Sequence, residues 1–242
     1  MAPDDKENHM PDTNRPAGAG EPRWLGLPRY VWACFAAMLA SQLLVYYATR
    51  LPFWHLTPRL LALPVDERIP FVPEWVLVYF LAYVSWVVSW LWILSESRAH
   101  AWRFVAAFVL AMLISAAVFL ICPGTMVRPE VTGSGIFAEW MRLLYRIDTP
   151  TNLCPSLHVL VSYFCWRGTL GCRKIPAWYK VFNFVFLVLV CCSILLIKQH
   201  VVVDIPVAIV VSELSLHLTS LLRLERVPQA IAAKIQRFGR NS

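Results

Sequence analysis

The stretch WVLVYFLAYVSWVVSWLWIL, residues 75–94, runs for twenty residues without a charge. At 1.5 Å per residue, a helix of that length measures about 30 Å, the thickness of a bilayer's hydrocarbon core. It has neither the strict alternation of a half-buried strand nor the polar face of a surface helix. The segment is therefore predicted to span a membrane. Working outward, Tyr30–Thr49, Phe104–Ile121, Tyr179–Ile197 and Val201–Leu222 read the same way, and Pro155–Leu170, shorter and carrying His158, makes a sixth. The chain as a whole is 58 % hydrophobic and only 15 % charged, well below the roughly 25 % charged of a soluble domain. The expected architecture is all-α: a polytopic integral membrane protein whose six-transmembrane-helix bundle occupies residues 29–223. Residues 1–28 are expected to be a disordered cytoplasmic tail and 224–242 a basic cytoplasmic tail. The first 22 residues lack the apolar core of a signal peptide, which makes the first span a retained signal anchor.

Six crossings divide the Lys and Arg residues unequally. Fifteen of the 22 fall on the side of the two termini and seven on the other, so the positive-inside bias puts both termini in the cytoplasm. The net charge of +7 is accounted for by this bias and by anionic headgroups. No Lys/Arg-rich motif interleaved with exposed aromatics points to nucleic acid, and none is expected as a partner.

Two polar clusters sit where the apolar runs break: Pro155-Ser156-Leu157-His158, and Ser193 followed by Lys198-Gln199-His200 and Asp204. His200 and Asp204 are four residues apart and share a helix face, so the carboxylate can orient the imidazole as a nucleophile or base. His158, opening a different span, can act as the acid. By parity both histidines fall at the extracytoplasmic edge, as does Arg128. The alternatives are interfacial polar residues, a metal pair lacking its third and fourth ligands, or two haem ligands. Arg128 by itself reads as an ordinary loop charge.

The spacing Ser193-x6-His200-x3-Asp204 resembles the third signature of the type-2 phosphatidic acid phosphatase superfamily. Pro155-Ser156-x-His158 is similar to its second signature, and Arg128-Pro129 to the end of its first. The resemblance covers about residues 75–222. It departs from the family at Ile121, where the first signature has Lys, at Ile194, where the third has Arg, and at Leu157, where the second has Gly. Leu157, with Asp148 and Asn152 upstream, looks like the branch containing the inositol phosphorylceramide synthases.

The resemblance implies that His200 attacks phosphorus, that Asp204 fixes its tautomer, and that His158 protonates the departing oxygen. It further implies a phosphate pocket of Arg128, Ser156 and Lys198, with no cofactor and no metal. The expected function is a membrane lipid phosphate or diphosphate phosphatase, working at the extracytoplasmic face through a phosphohistidine. The alternatives are a phospho-headgroup transferase and a non-catalytic lipid-phosphate binder or transporter. A lipid phosphate and membrane lipids are the expected partners; oligomeric state stays open.

Three further features carry expectations. Residues 136–147 have a helical apolar stripe opposite Glu139, Arg142 and Arg146, which fits an amphipathic helix lying either on the outer leaflet or over the bundle. Glu213 and His217 lie inside the sixth span; Glu213 is about 13–14 Å deeper than Asp204 at helical rise, too deep for the chemistry, and reads as a hydrogen bond between helices or, as the alternative, a proton path or headgroup contact. Of the seven cysteines, Cys122 and Cys154 bracket the outer loop and are the pair able to bridge in an oxidising compartment.

Overall fold

The computed structural model describes residues 23–51, 56–224 and 226, and the chain is mostly helical. Among the described residues, five segments are long and apolar enough to cross a membrane. They are α1 (Arg29–Ala48), a 3₁₀ turn running into α3 (Pro73–Leu94 together), α4 (Arg98–Ile121), α7 (Ala177–Leu196) and α8 (Asp204–Leu222). Short helices α2 (Pro64–Arg68) and α5 (Ile136–Ile147) lie in the connections, and α6 (Leu157–Leu170) runs through the bundle. Most of the expected tails lies outside the described residues. Residues 23–28, expected to be disordered, instead form a two-stranded ribbon, β1 (Arg23–Trp24) with β2 (Leu27–Pro28). The Trp32 indole donates to the Trp24 carbonyl and holds it on α1.

The apolar helices are apolar on both sides, as helices in lipid are. On α7, Leu187, Val190 and Ile194 are buried, while Val181, Phe184, Val185 and Val188 are each about half exposed. A soluble monomer does not carry apolar surface of that extent. Polar groups also pair across helices inside the bundle: Ser89 Oγ on α3 donates to Asn183 Oδ1 on α7 (3.0 Å) and shares a hydrogen bond with Tyr179 (2.9 Å).

The segment expected as a sixth span is the exception. Its helix has 14 residues, about 21 Å, short of the ~30 Å apolar core. It begins at Leu157, not Pro155, because the Ser156 hydroxyl caps it by accepting from the Val159 N–H. Eleven of its 14 residues are buried, so its surroundings are the other helices, α3, α7 and α8. Gly168 makes that packing close: a Cβ there would sit 2.5 Å from the Phe104 ring of α4 and 2.9 Å from Ile93 of α3.

The helix ends gather into two sets. At one end the Arg98 guanidinium lies over Tyr30, the Cys172 thiol contacts His100, and the Arg173 and Lys174 N–H groups donate to Glu96. At the other end the connections lock together. Strand β3 (Arg59–Leu60) pairs in parallel with β4 (Gly124–Thr125). Asp66 of α2 accepts from the Val202 N–H (2.8 Å), and Lys198 Nζ donates to the Asp66 carbonyl (2.7 Å). Every residue expected at the site belongs to this second end.

Candidate active site

The turn between α7 and α8 carries His200. Lys198 takes a left-handed conformation (φ 53°) that ends α7, and the Gln199 and His200 N–H groups both donate to the Ile194 carbonyl. Asp204 then opens α8, and Pro206 is tolerated in its first turn, where helical N–H groups have no intrahelical acceptor. The resulting geometry is His200 Nδ1 at 2.9 Å from Asp204 Oδ2, with the Asp204 side chain wholly buried. Asp204 also accepts from the Val201 N–H at 3.0 Å, which fixes the carboxylate. A carboxylate bound to Nδ1 puts the proton there and leaves Nε2 with its lone pair free.

His158, in the first turn of α6, lies with its ring centroid 6.3 Å from that of His200. Aromatic side chains of α3 hold it in place. Its ring stacks on Tyr79 (4.0 Å), meets Tyr83 edge-on and Trp86 at a tilt, and its Nε2 shares a hydrogen bond with the Tyr83 hydroxyl (3.2 Å). Positions 79, 83 and 86 follow the helical spacing that puts one face of α3 against α6.

Both histidines line a cavity of about 330 Å³, together with Arg50, Arg128, Asp148 and Gln199. Asp148 organises its charged wall. The carboxylate accepts from Tyr46 (2.7 Å), Tyr79 (3.1 Å) and the Arg50 guanidinium, and its backbone carbonyl accepts from Arg128. Burial raises the Asp148 pKa, but the Tyr46 and Arg50 hydrogen bonds and the Arg50 charge outweigh it and hold the carboxyl below its usual range. Arg128 also donates to Gln199 and lies 4.7 Å from the Tyr145 ring centroid. Arg50 Nε, Arg128 Nε and Gln199 Nε2 are buried without a hydrogen-bond partner among the described residues. Buried donors in this state are costly unless an acceptor meets them. Three such donors therefore belong to residues around one cavity, and the Asp204 Oδ1 acceptor beside it is likewise without a partner among the described residues.

The expected site residues divide accordingly. His200, Asp204, His158 and Arg128 come together. Ser156 does not reach the cavity: its side chain is fully buried and caps α6, so its part is to start the helix that carries His158. Lys198 lines a neighbouring cavity of about 380 Å³ that shares Arg128 and His200 with the first. Its ammonium is tied to the Asp66 carbonyl, and burial lowers its pKa. Ser193 is likewise committed, donating to the Trp75 carbonyl. Arg50 and Gln199 line the cavity and are not among the residues the sequence reading expected there. Arg50 stands two residues past the last helical residue of α1, where a charge marks only the end of a span; nothing in its spacing announces Asp148.

Helix α5 buries Ala138, Met141 and Leu144 and exposes Ile136, Leu143 and Ile147, and Tyr145 donates to the Ile197 carbonyl. It therefore covers the bundle and keeps a second apolar edge outward. Glu213 makes a hydrogen bond between helices, accepting from Tyr163 and Arg167 of α6, both at 2.7 Å. Cys122 and Cys154 are free thiols; burial, then the nearby Asp204 carboxylate, push Cys154 up to about 12. Among the described residues, no group of three His, Cys, Asp or Glu side chains is placed to hold a metal ion. No protein-family model matches the chain, and a search of curated proteins finds no match.

Proposed function

We propose that this chain is an integral membrane phosphohydrolase acting on a lipid phosphate or diphosphate at the His200 end of the bundle. The observation that carries this reading is the pair of imidazoles 6.3 Å apart, one oriented by a buried carboxylate, beside a cavity lined by two guanidiniums. Nε2 of His200 attacks phosphorus, and the bond from phosphorus to the leaving oxygen breaks. His158 gives that oxygen a proton, taking the position at which Tyr83 now meets its Nε2. The product is a phosphohistidine whose imidazolium Asp204 stabilises. Water, deprotonated by His158, then attacks the phosphorus; the bond from phosphorus to Nε2 breaks, phosphate leaves, and His200 returns as the neutral imidazole. Arg50, Arg128 and Gln199 bind the equatorial oxygens, and preorganised donors of this kind supply most of the stabilisation of such a transition state.

The lipid character follows from the other wall of the cavity, where Leu43, Phe80, Trp86, Leu144 and Ile147 supply apolar surface. We count α6 as a sixth crossing, because its start lies at the His200 end and Cys172, just past its end, meets His100. Six crossings and the Lys/Arg bias give cytoplasmic termini and an extracytoplasmic site. A second reading, transfer of the phospho-headgroup to a lipid alcohol, draws support from Thr149, Thr151 and Asn152. These are hydroxyl and amide groups in the cavity wall, suited to holding an acceptor alcohol. A pure binder has no use for a nucleophile held by a buried carboxylate.

The test is phosphate release by purified protein from a panel of lipid phosphates and diphosphates, beside His200→Ala. Release by the wild type that the variant loses is the expected result. Release undiminished in His200→Ala removes the nucleophile, and release by neither moves the reading to transfer, assayed with a phospholipid donor and a lipid alcohol.

A further inference from the structure

A second cavity, of about 420 Å³, lies at the opposite end of the bundle between α4, α6 and α8. Its polar lining includes His100, Arg103, Arg167, Glu213, His217 and Thr219, with Ser220 beside them. Arg167 stands nine residues beyond His158 on α6, and Thr219 fifteen beyond Asp204 on α8. At helical rise these are separations of about 13 Å and 22 Å, so this cavity is distinct from the first.

Its chemistry is almost entirely that of donors. The one carboxylate, Glu213, is already engaged by Tyr163 and by Arg167 Nε. Arg103 is exposed, and neither it nor His217 has a hydrogen-bond partner among the described residues. The Thr219 hydroxyl is buried and has no partner there either; the residue is 2 % exposed. In an α-helix a threonine hydroxyl ordinarily bonds a carbonyl one turn back, as Ser212 and Ser215 do on this same helix. Two guanidiniums against one carboxylate leave a net positive charge before either imidazole is protonated. Gly171 keeps the rim open, since a Cβ there would come within 3.0 Å of His100.

We propose that this cavity binds a phosphate-bearing anion, taken either as free phosphate or as the headgroup of an anionic lipid in the leaflet at that end. The anion bridges Arg103 and Arg167 and accepts from His217 and Thr219. The site is independent of the chemistry proposed for the His200 end.

The experiment is thermal unfolding of the full chain in neutral detergent, titrated with inorganic phosphate or with dihexanoylphosphatidylglycerol. The background is Arg128→Gln, which weakens anion binding at the other cavity. Saturable stabilisation is expected to persist in this background, and adding Arg103→Gln is expected to weaken it about tenfold, the loss of one charge-assisted contact. Stabilisation by phosphate identifies the free anion as sufficient; stabilisation by the lipid alone shows that the headgroup needs its anchored chains. No stabilisation by either ligand, or an affinity unchanged by Arg103→Gln, overturns the proposal. If Arg103→Gln does not yield folded protein, His217→Gln in the same background carries the test with the same outcomes.

Discussion

Asp148→Asn isolates the residue that organises the charged wall. The carboxylate accepts from Tyr46, Tyr79 and Arg50. An asparagine of nearly the same shape offers one acceptor oxygen and, in place of the other, a donor that meets a donor. The Arg50–Asp148 pair is 16 % and 19 % exposed at its side chains, so it counts as a mostly buried pair. Removing one partner of such a pair costs about 3–5 kcal/mol, and the residual exposure argues for the lower end, about 3 kcal/mol. For a chain of this size 1 kcal/mol corresponds to about 2–4 °C in Tm, which gives a fall of roughly 6–12 °C. Activity is expected to drop further than stability accounts for, by at least tenfold in kcat/KM, because Arg50 and Arg128 both lean on this residue. The assay is thermal unfolding and phosphate release on the same detergent-purified samples. A Tm within 2 °C of wild type with unchanged kinetics would refute the organising role. The pH dependence supplies a second check. The folded pKa of Asp148 lies below its unfolded value, so its stabilisation is present above the ordinary carboxylate pKa of about 3.9 and is lost as pH falls below it. Asp148→Asn is expected to flatten the acid limb of the stability curve below about pH 4.

Other perturbations address separate parts of the reading. Arg128→Lys exchanges a planar fork for a point charge and is expected to raise KM about tenfold with the fold intact; an unchanged KM removes Arg128 from the phosphate site. Asp204→Asn is expected to cost several orders of magnitude in turnover, since an amide holds the wrong tautomer; near-wild-type turnover would break the His200–Asp204 assignment. Gly168→Ala drives a methyl into the Phe104 ring and is expected to destabilise by about 1–3 kcal/mol, read as a lower Tm. A single cysteine placed at Glu130, in a background freed of the other thiols, is expected to label from outside intact cells; labelling only after permeabilisation inverts the proposed orientation.

The sequence announced what depends on local runs and hid what depends on contacts across the chain. Four of the long apolar helices follow the expected spans within a few residues. α4 starts earlier, at Arg98, because Ser97 caps it by accepting from the His100 N–H, and the intervening His100 and Arg103 interrupt apolarity without interrupting helix. The short α6 was the hardest span to read, because composition cannot tell a helix wrapped by protein from one wrapped by lipid. At the site, the i,i+4 spacing of His200 and Asp204 was visible. Arg50 was not, because its partner Asp148 is 98 residues away. Nor did Tyr79, Tyr83 and Trp86 stand out, since an aromatic stripe on α3 reads as core packing until His158 is seen against it.

Connections between membrane helices are usually where length varies freely. Here the segment over residues 56–69 is hydrogen-bonded on one side to the strand just ahead of Arg128 and on the other to the turn holding His200. Its span is thereby set by two neighbours at once, like a keystone cut to its arch. An insertion of even two or three residues there is a change in the distance between the guanidinium and the imidazole. Variation in loop length has to be sought elsewhere, and a tag placed in this segment acts on the proposed site as a mutation there would.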